Sequence, residues 1–163
     1  MLVPEVERER IEVSGPVIIR IFTPDAALGS DAPFDLERDL GPGVARVEQG
    51  SRNFSCDQPR LPAGFQCKGQ KEWVYVAPVS LTIGGRERQC VWAHPVAGKA
   101  LVFELPAVAA DRIVLGAGLS DSATSASDGA TVRVEARQGA RSLGAVVVPN
   151  RKGWREQTLE IAS

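Results

Sequence analysis

The sequence predicts an all-β protein: a two-layer antiparallel β-sandwich of jelly-roll type, with one short helix near residues 32–40. Three observations carry this. Apolar and polar residues alternate with period two in segment after segment, most cleanly over Ala130–Arg137, where Val132, Val134 and Ala136 interleave with Thr131, Arg133, Glu135 and Arg137. Gly, Ser, Asp and Asn punctuate those segments at short intervals. No helical pattern alternates with the strands, which argues against a parallel sheet with crossover helices. At 163 residues the chain is read as a single domain, either whole or a segment of a longer chain.

In order, Glu5–Val13 and Pro16–Phe22 read as strands joined by a turn at Ser14-Gly15, and Val17, Ile18, Ile19 and Ile21 give the second the apolar character of a central strand. Ser30 or Asp31 caps the helix, Phe34, Leu36 and Leu40 face inward, and Gly41-Pro42 ends it. Asp25, Asp31, Asp35 and Asp39 lie too far apart for a calcium loop and suit a solvated helix face. Gly43–Glu48 is a short strand. Gln49–Lys71 reads as the longest loop, and a loop of that length in a compact domain needs an internal brace. Glu72–Pro78 and Arg86–His94 form a hairpin about Gly84-Gly85, with Cys90, Trp92 and His94 on one face and Val91 and Ala93 on the other. Ala100–Leu105 follows. Four C-terminal strands complete the set at Arg112–Leu119, Ala130–Arg137, Ser142–Val148 and Trp154–Ile161, making nine or ten in all.

Composition sets limits on function. Net charge is −1 and the pI about 5.9, so no basic field exists to hold nucleic acid. No apolar run approaches the ~20 residues of a membrane-spanning helix. Residues 1–15 lack the apolar core of a signal peptide, which leaves either a cytoplasmic protein or a segment of an exported chain. The three cysteines bear on that choice. Cys56 and Cys67 flank ten loop-like residues and are the expected disulfide, whereas Cys90 lies in a strand. Three dispersed Cys and one His do not make paired zinc-ligand spacings, and nothing in the pattern calls for a cofactor.

The chain shows no arrangement for catalysis. The sole histidine, His94, precedes Pro95, and Cys90 stands four strand residues away, about 13 Å, too far for a nucleophile and its base. Paired carboxylates acting as a hydrolase are the remaining enzymatic alternative. Sugar binding asks for an aromatic platform with polar hydroxyl partners. Two clusters offer it: Trp92 and His94 with Trp73 and Tyr75, and the turn Asn150-Arg151-Lys152 with Trp154. Core packing is the simplest reading of Trp73, Tyr75 and Trp92, and Trp154 is the better candidate for exposure.

The runs VFELP, RIVLGAGLSD, ATVRVEARQGARSLGAVVVP and GWREQTLEI, over residues 100–161, resemble the galactose-binding-domain-like jelly roll of discoidin domains and carbohydrate-binding modules. Such domains commonly close with one further strand after the position of Ile161. The resemblance implies a non-catalytic module that takes a glycan or a neighbouring protein domain through loops at one end of the sandwich, and together with the braced Cys56–Cys67 loop it points to an extracytoplasmic segment of a bacterial envelope protein. The ligand residues would be Trp154, Asn150, Arg151, Trp92 and His94. A structural, protein-binding domain is the alternative. Calcium at Asp121 and Asp128, as in some relatives of that fold, is a lesser one.

Overall fold

The computed structural model describes residues 9–14 and 17–22 as backbone, and residues 39–94, 96–105, 112–125 and 131–160 in full. The protein is all-β. Twelve strands are described: β1 (Glu9–Ser14), β2 (Val17–Phe22), β3 (Ala45–Gln49), β4 (Arg52–Pro59), β5 (Phe65–Cys67), β6 (Tyr75–Ile83), β7 (Arg86–Ala93), β8 (Ala100–Leu105), β9 (Arg112–Gly118), β10 (Val132–Gln138), β11 (Arg141–Val148) and β12 (Arg155–Glu160). A single helical turn, α1 (Asp121–Thr124), is capped by the Ser120 hydroxyl, which accepts the Ala123 N–H at 3.2 Å. All but two residues of the helix expected near 32–40 lie outside the described residues. Leu40, one of the two, packs against the core.

All the strand pairs are antiparallel and run as one sheet, in the order β11-β10-β1-β8-β3-β4-β5-β6-β7-β2-β9-β12. The sheet rolls over so that β11 and β12, its two edges, lie against each other. The two layers of the sandwich are thus two halves of one sheet. Both contribute to one core: Val47, Leu101, Phe103, Val132 and Val134 from one half meet Val76, Val91, Ala93, Leu115 and Ala117 from the other. The rolled edge closes tightly at Gly144, where a Cβ would lie 2.5 Å from Leu159 Cδ2.

Two expectations are corrected. First, β1 and β2 are not a hairpin, although only residues 15 and 16 separate them. β1 pairs with β8 and β10, and β2 pairs with β7 and β9, so the chain passes from one layer to the other between them. β1 joins β8 to β10 in one half and β2 joins β7 to β9 in the other, and a β1–β2 hairpin would have left both gaps unfilled. Second, the expected loop Gln49–Lys71 contains β4 and β5. Cys56 and Cys67 stand directly opposite each other on those strands and form the disulfide, both buried. An unpaired residue, Asp57, bulges from β4 just beyond the bridge, and its carboxylate takes the Lys68 ammonium at 2.8 Å.

The β4–β5 connection is tied to β6 by Gly64. Its φ is +100°, and a Cβ there would sit 2.2 Å from the Val76 carbonyl oxygen and 2.6 Å from Ala77 Cβ. Beyond that contact β5 stops. Pro78 of β6 lies past its end, where a missing N–H breaks no ladder bond.

The fold therefore depends locally on a close approach and a covalent brace. Gly64→Ala should destabilise the protein by about 2–4 kcal/mol in urea unfolding, from backbone strain plus overpacking. Replacing Cys56 and Cys67 together by Ala should cost about 3 kcal/mol, the closure entropy of an ~12-residue loop.

Candidate functional site

The β6–β7 hairpin sets the geometry. Gly84 and Gly85 both have positive φ, +57° and +79°, as a two-residue turn between right-twisted strands requires. The turn fixes Ile83 opposite Arg86 and, seven pairs on, Val76 opposite Ala93. Val76, Val91 and Ala93 then enter the core, and alternation sends Tyr75, Cys90, Trp92 and His94 to the outer face.

On that face four rings form a row. Trp73 and His94 lie 4.6 Å apart between centroids, Trp92 and His94 6.0 Å in an edge-on arrangement, and Tyr75 stacks on Trp92 at 6.4 Å. Trp73 is 43% exposed, and Tyr75, Trp92 and His94 are each half-buried. Trp73, Tyr75 and His94 therefore lie outside the main core, and Trp92 packs against a second, smaller apolar cluster. Two cations cover the row: the Arg60 guanidinium sits 4.0 Å from the centre of the Tyr75 ring, and Lys71 Nζ lies 5.9 Å from that of Trp73. Arg60 and Lys71 come from the stretch that reads as loop, where no alternation marks them. The one signal in the sequence is the placing of Lys71 two residues before Trp73.

The segment carrying Lys71 and Trp73 is held on every side. Gln66 Nε2 donates to the carbonyls of Lys71 (2.9 Å) and Val74 (3.0 Å), Arg60 Nη1 to that of Glu72 (3.0 Å), and Lys99 Nζ to Gln70 Oε1 (2.8 Å). The Val74 N–H closes the turn onto the Lys71 carbonyl at 2.8 Å. A surface so braced loses little conformational freedom when a ligand lands on it.

The second predicted cluster lies at the far end of the same outer face and is otherwise engaged. Trp154 is half-buried, donates its indole N–H to the Arg86 carbonyl at 3.0 Å, and has the buried Arg88 guanidinium 5.3 Å from its ring. Arg88 pairs in turn with Glu156 of β12. With Ile83, Cys90, Val79, Leu81 and Trp92, Trp154 forms a second small apolar cluster outside the sheet. The side-chain oxygen of Asn150 is enclosed, Arg151 is exposed, and Lys152 faces Asp121 at 4.0 Å. Asp121 also accepts the Gly84 N–H at 3.2 Å, and Asp128 lies outside the described residues. Among the described residues, no three His, Cys, Asp or Glu side chains gather in a way that could hold a metal ion.

His94 faces indoles, and among the described residues no carboxylate hydrogen-bonds to it. Burial disfavours its charged form and lowers its pKa below the ordinary 6.5. Because the unfolded chain takes up this proton first, stability should fall as pH drops below about 6.5 and level off below the folded pKa. His94 is the only histidine, so its ring resonances can be followed without assignment: their midpoint should lie below 6.5, and His94→Gln should remove that part of the pH dependence. A midpoint at or above 6.5 would contradict this.

No family model matches the chain, and neither a curated protein nor a solved structure matches it.

Proposed function

We propose that this protein is a non-catalytic module that binds carbohydrate on the outer face of its β6–β7 hairpin, on an extracytoplasmic domain of the galactose-binding-like kind. The observation that carries the reading is the row Trp73–His94–Trp92–Tyr75: four rings in sequence, all at least partly exposed, on a braced surface. The exposed indole of Trp73 suits the apolar face of a sugar ring, and Arg60 over Tyr75, Lys71 near Trp73 and His94 offer polar contacts to hydroxyls. Of the five residues first singled out as ligand contacts, Trp92 and His94 belong to this row, whereas Trp154, Asn150 and Arg151 border the cluster that anchors the hairpin's far end. The buried Cys56–Cys67 disulfide suits an oxidising compartment.

A second reading, docking of a neighbouring protein domain, draws on Leu61, which is 92% exposed at the β4–β5 tip. A glycan array followed by calorimetry separates the two. Trp73→Ala should weaken saccharide binding by about tenfold or more, the loss of ~1.4 kcal/mol of stacking, with an unchanged circular dichroism spectrum. Trp154→Ala should reduce thermal stability and leave the affinity of the folded fraction within about twofold. A wild-type protein that binds no saccharide on the array would remove this function.

A further inference from the structure

We infer that the saccharide held by this site is anionic, a sugar bearing carboxylate or sulfate groups. The inference rests on the reading of the aromatic row as a glycan platform and concerns the charge around it. Several cations are matched by carboxylates: Arg46 by Glu48 and Glu104, Lys68 by Asp57, Arg88 by Glu156, Arg133 and Arg137 by Glu135, and Lys152 by Asp121. Arg60 and Lys71 are set apart by being unmatched by a carboxylate among the described residues and at the same time placed on the aromatic row.

Arg60 is fixed in place without being neutralised. One arm of its guanidinium donates to the Glu72 carbonyl, and its plane lies over Tyr75, so the remaining donors meet no protein acceptor among the described residues. Such a fork is preorganised for a planar carboxylate or a sulfate. Three of the chain's four lysines gather around this loop: Lys71 itself, Lys68 beside the bulge, and Lys99, which reaches Gln70. Of the acids here, Asp57 is taken by Lys68, and Glu72 is the one carboxylate carried by the loop between Lys71 and Trp73. A positive patch over aromatic rings is notable on a chain whose net charge is −1. It also argues against a cationic ligand, because Arg60 and Lys71 already occupy the cation-binding positions over Tyr75 and Trp73 and would repel one.

The test is calorimetry on the whole protein with three probes: oligogalacturonate for carboxylate, heparin-derived oligosaccharide for sulfate, and a neutral galacto-oligosaccharide of matched length. At least one anionic probe should bind about tenfold or more tightly than the neutral one, and that advantage should shrink sharply between about 0.05 M and about 0.5 M salt. Arg60→Gln and Lys71→Gln should each reduce binding of the preferred anionic probe several-fold more than binding of the neutral probe, with the fold checked by circular dichroism. The arm that responds identifies carboxylate or sulfate as the recognised group. Equal, salt-insensitive binding of all three probes would overturn the inference and leave the saccharide platform standing. Binding of none of them would overturn both.

Discussion

Strict alternation along β7, locked in register by the Gly84-Gly85 turn, is the constraint on which the rest depends. Side chains of a strand point to opposite faces in turn, so Val91 and Ala93 can fill the core only if Trp92 and His94 stand outside it. A slip of one residue would bury an indole and an imidazole and expose two small apolar side chains. Core packing therefore enforces the register, and the register presents the rings. The aromatic surface is a by-product of the stability of the opposite face.

Two devices hold that outer face at its ends. At one end the Cys56–Cys67 bridge, the Asp57–Lys68 pair and the donors Gln66, Arg60 and Lys99 fix the segment that carries Lys71 and Trp73. At the other, Trp154 covers Ile83 and Cys90 while Arg88 reaches across to Glu156 on the edge strand β12. Gly118 permits this: a Cβ there would lie 3.1 Å from Ile83 Cδ1 and 3.2 Å from Trp154 Cε3. The opposite layer carries a charged outer face instead. Glu135 is buried beneath Arg133 and Arg137, accepts the Ser142 hydroxyl, and is held at a pKa of about 2, chiefly by the Arg133 hydrogen bond. The aromatic row and this ionic layer give the two outer faces distinct chemistry.

What was legible in the sequence follows from which forces are local. The β10 alternation, the glycine turn and the opposed faces of β7 are set by neighbouring residues, and each appears where the pattern places it. Strands β4 and β5 were illegible because RNFSCDQP has no apolar alternation and FQC is three residues long. β4 pairs with β3 through the two-residue link Gly50-Ser51, whereas β5 is held in the sheet by the disulfide and by β6, which its own three residues do not announce. The partners of β1 and β2 were hidden for the same reason: a two-residue link ordinarily signals a hairpin, and only the demand of two layers for central strands separates them. In the candidate site the rings were legible as a group, but their exposure was not. Large aromatics in few numbers suggest a core, and nothing in the sequence reveals that small side chains, Ala45, Ala93 and Ala117, line part of it in their place.

The most direct test uses the three indole N–H signals of the protein as separate reporters in a saccharide titration followed by heteronuclear NMR, with each signal assigned by single Trp→Phe substitution. Trp73 and Trp92 should shift progressively with ligand, while Trp154, whose N–H is committed to the Arg86 carbonyl, should stay within the drift of the backbone amides around it. Movement of Trp154 with Trp73 and Trp92 unmoved would contradict the account, because it would put the ligand at the far end of the hairpin and leave the aromatic row without a role.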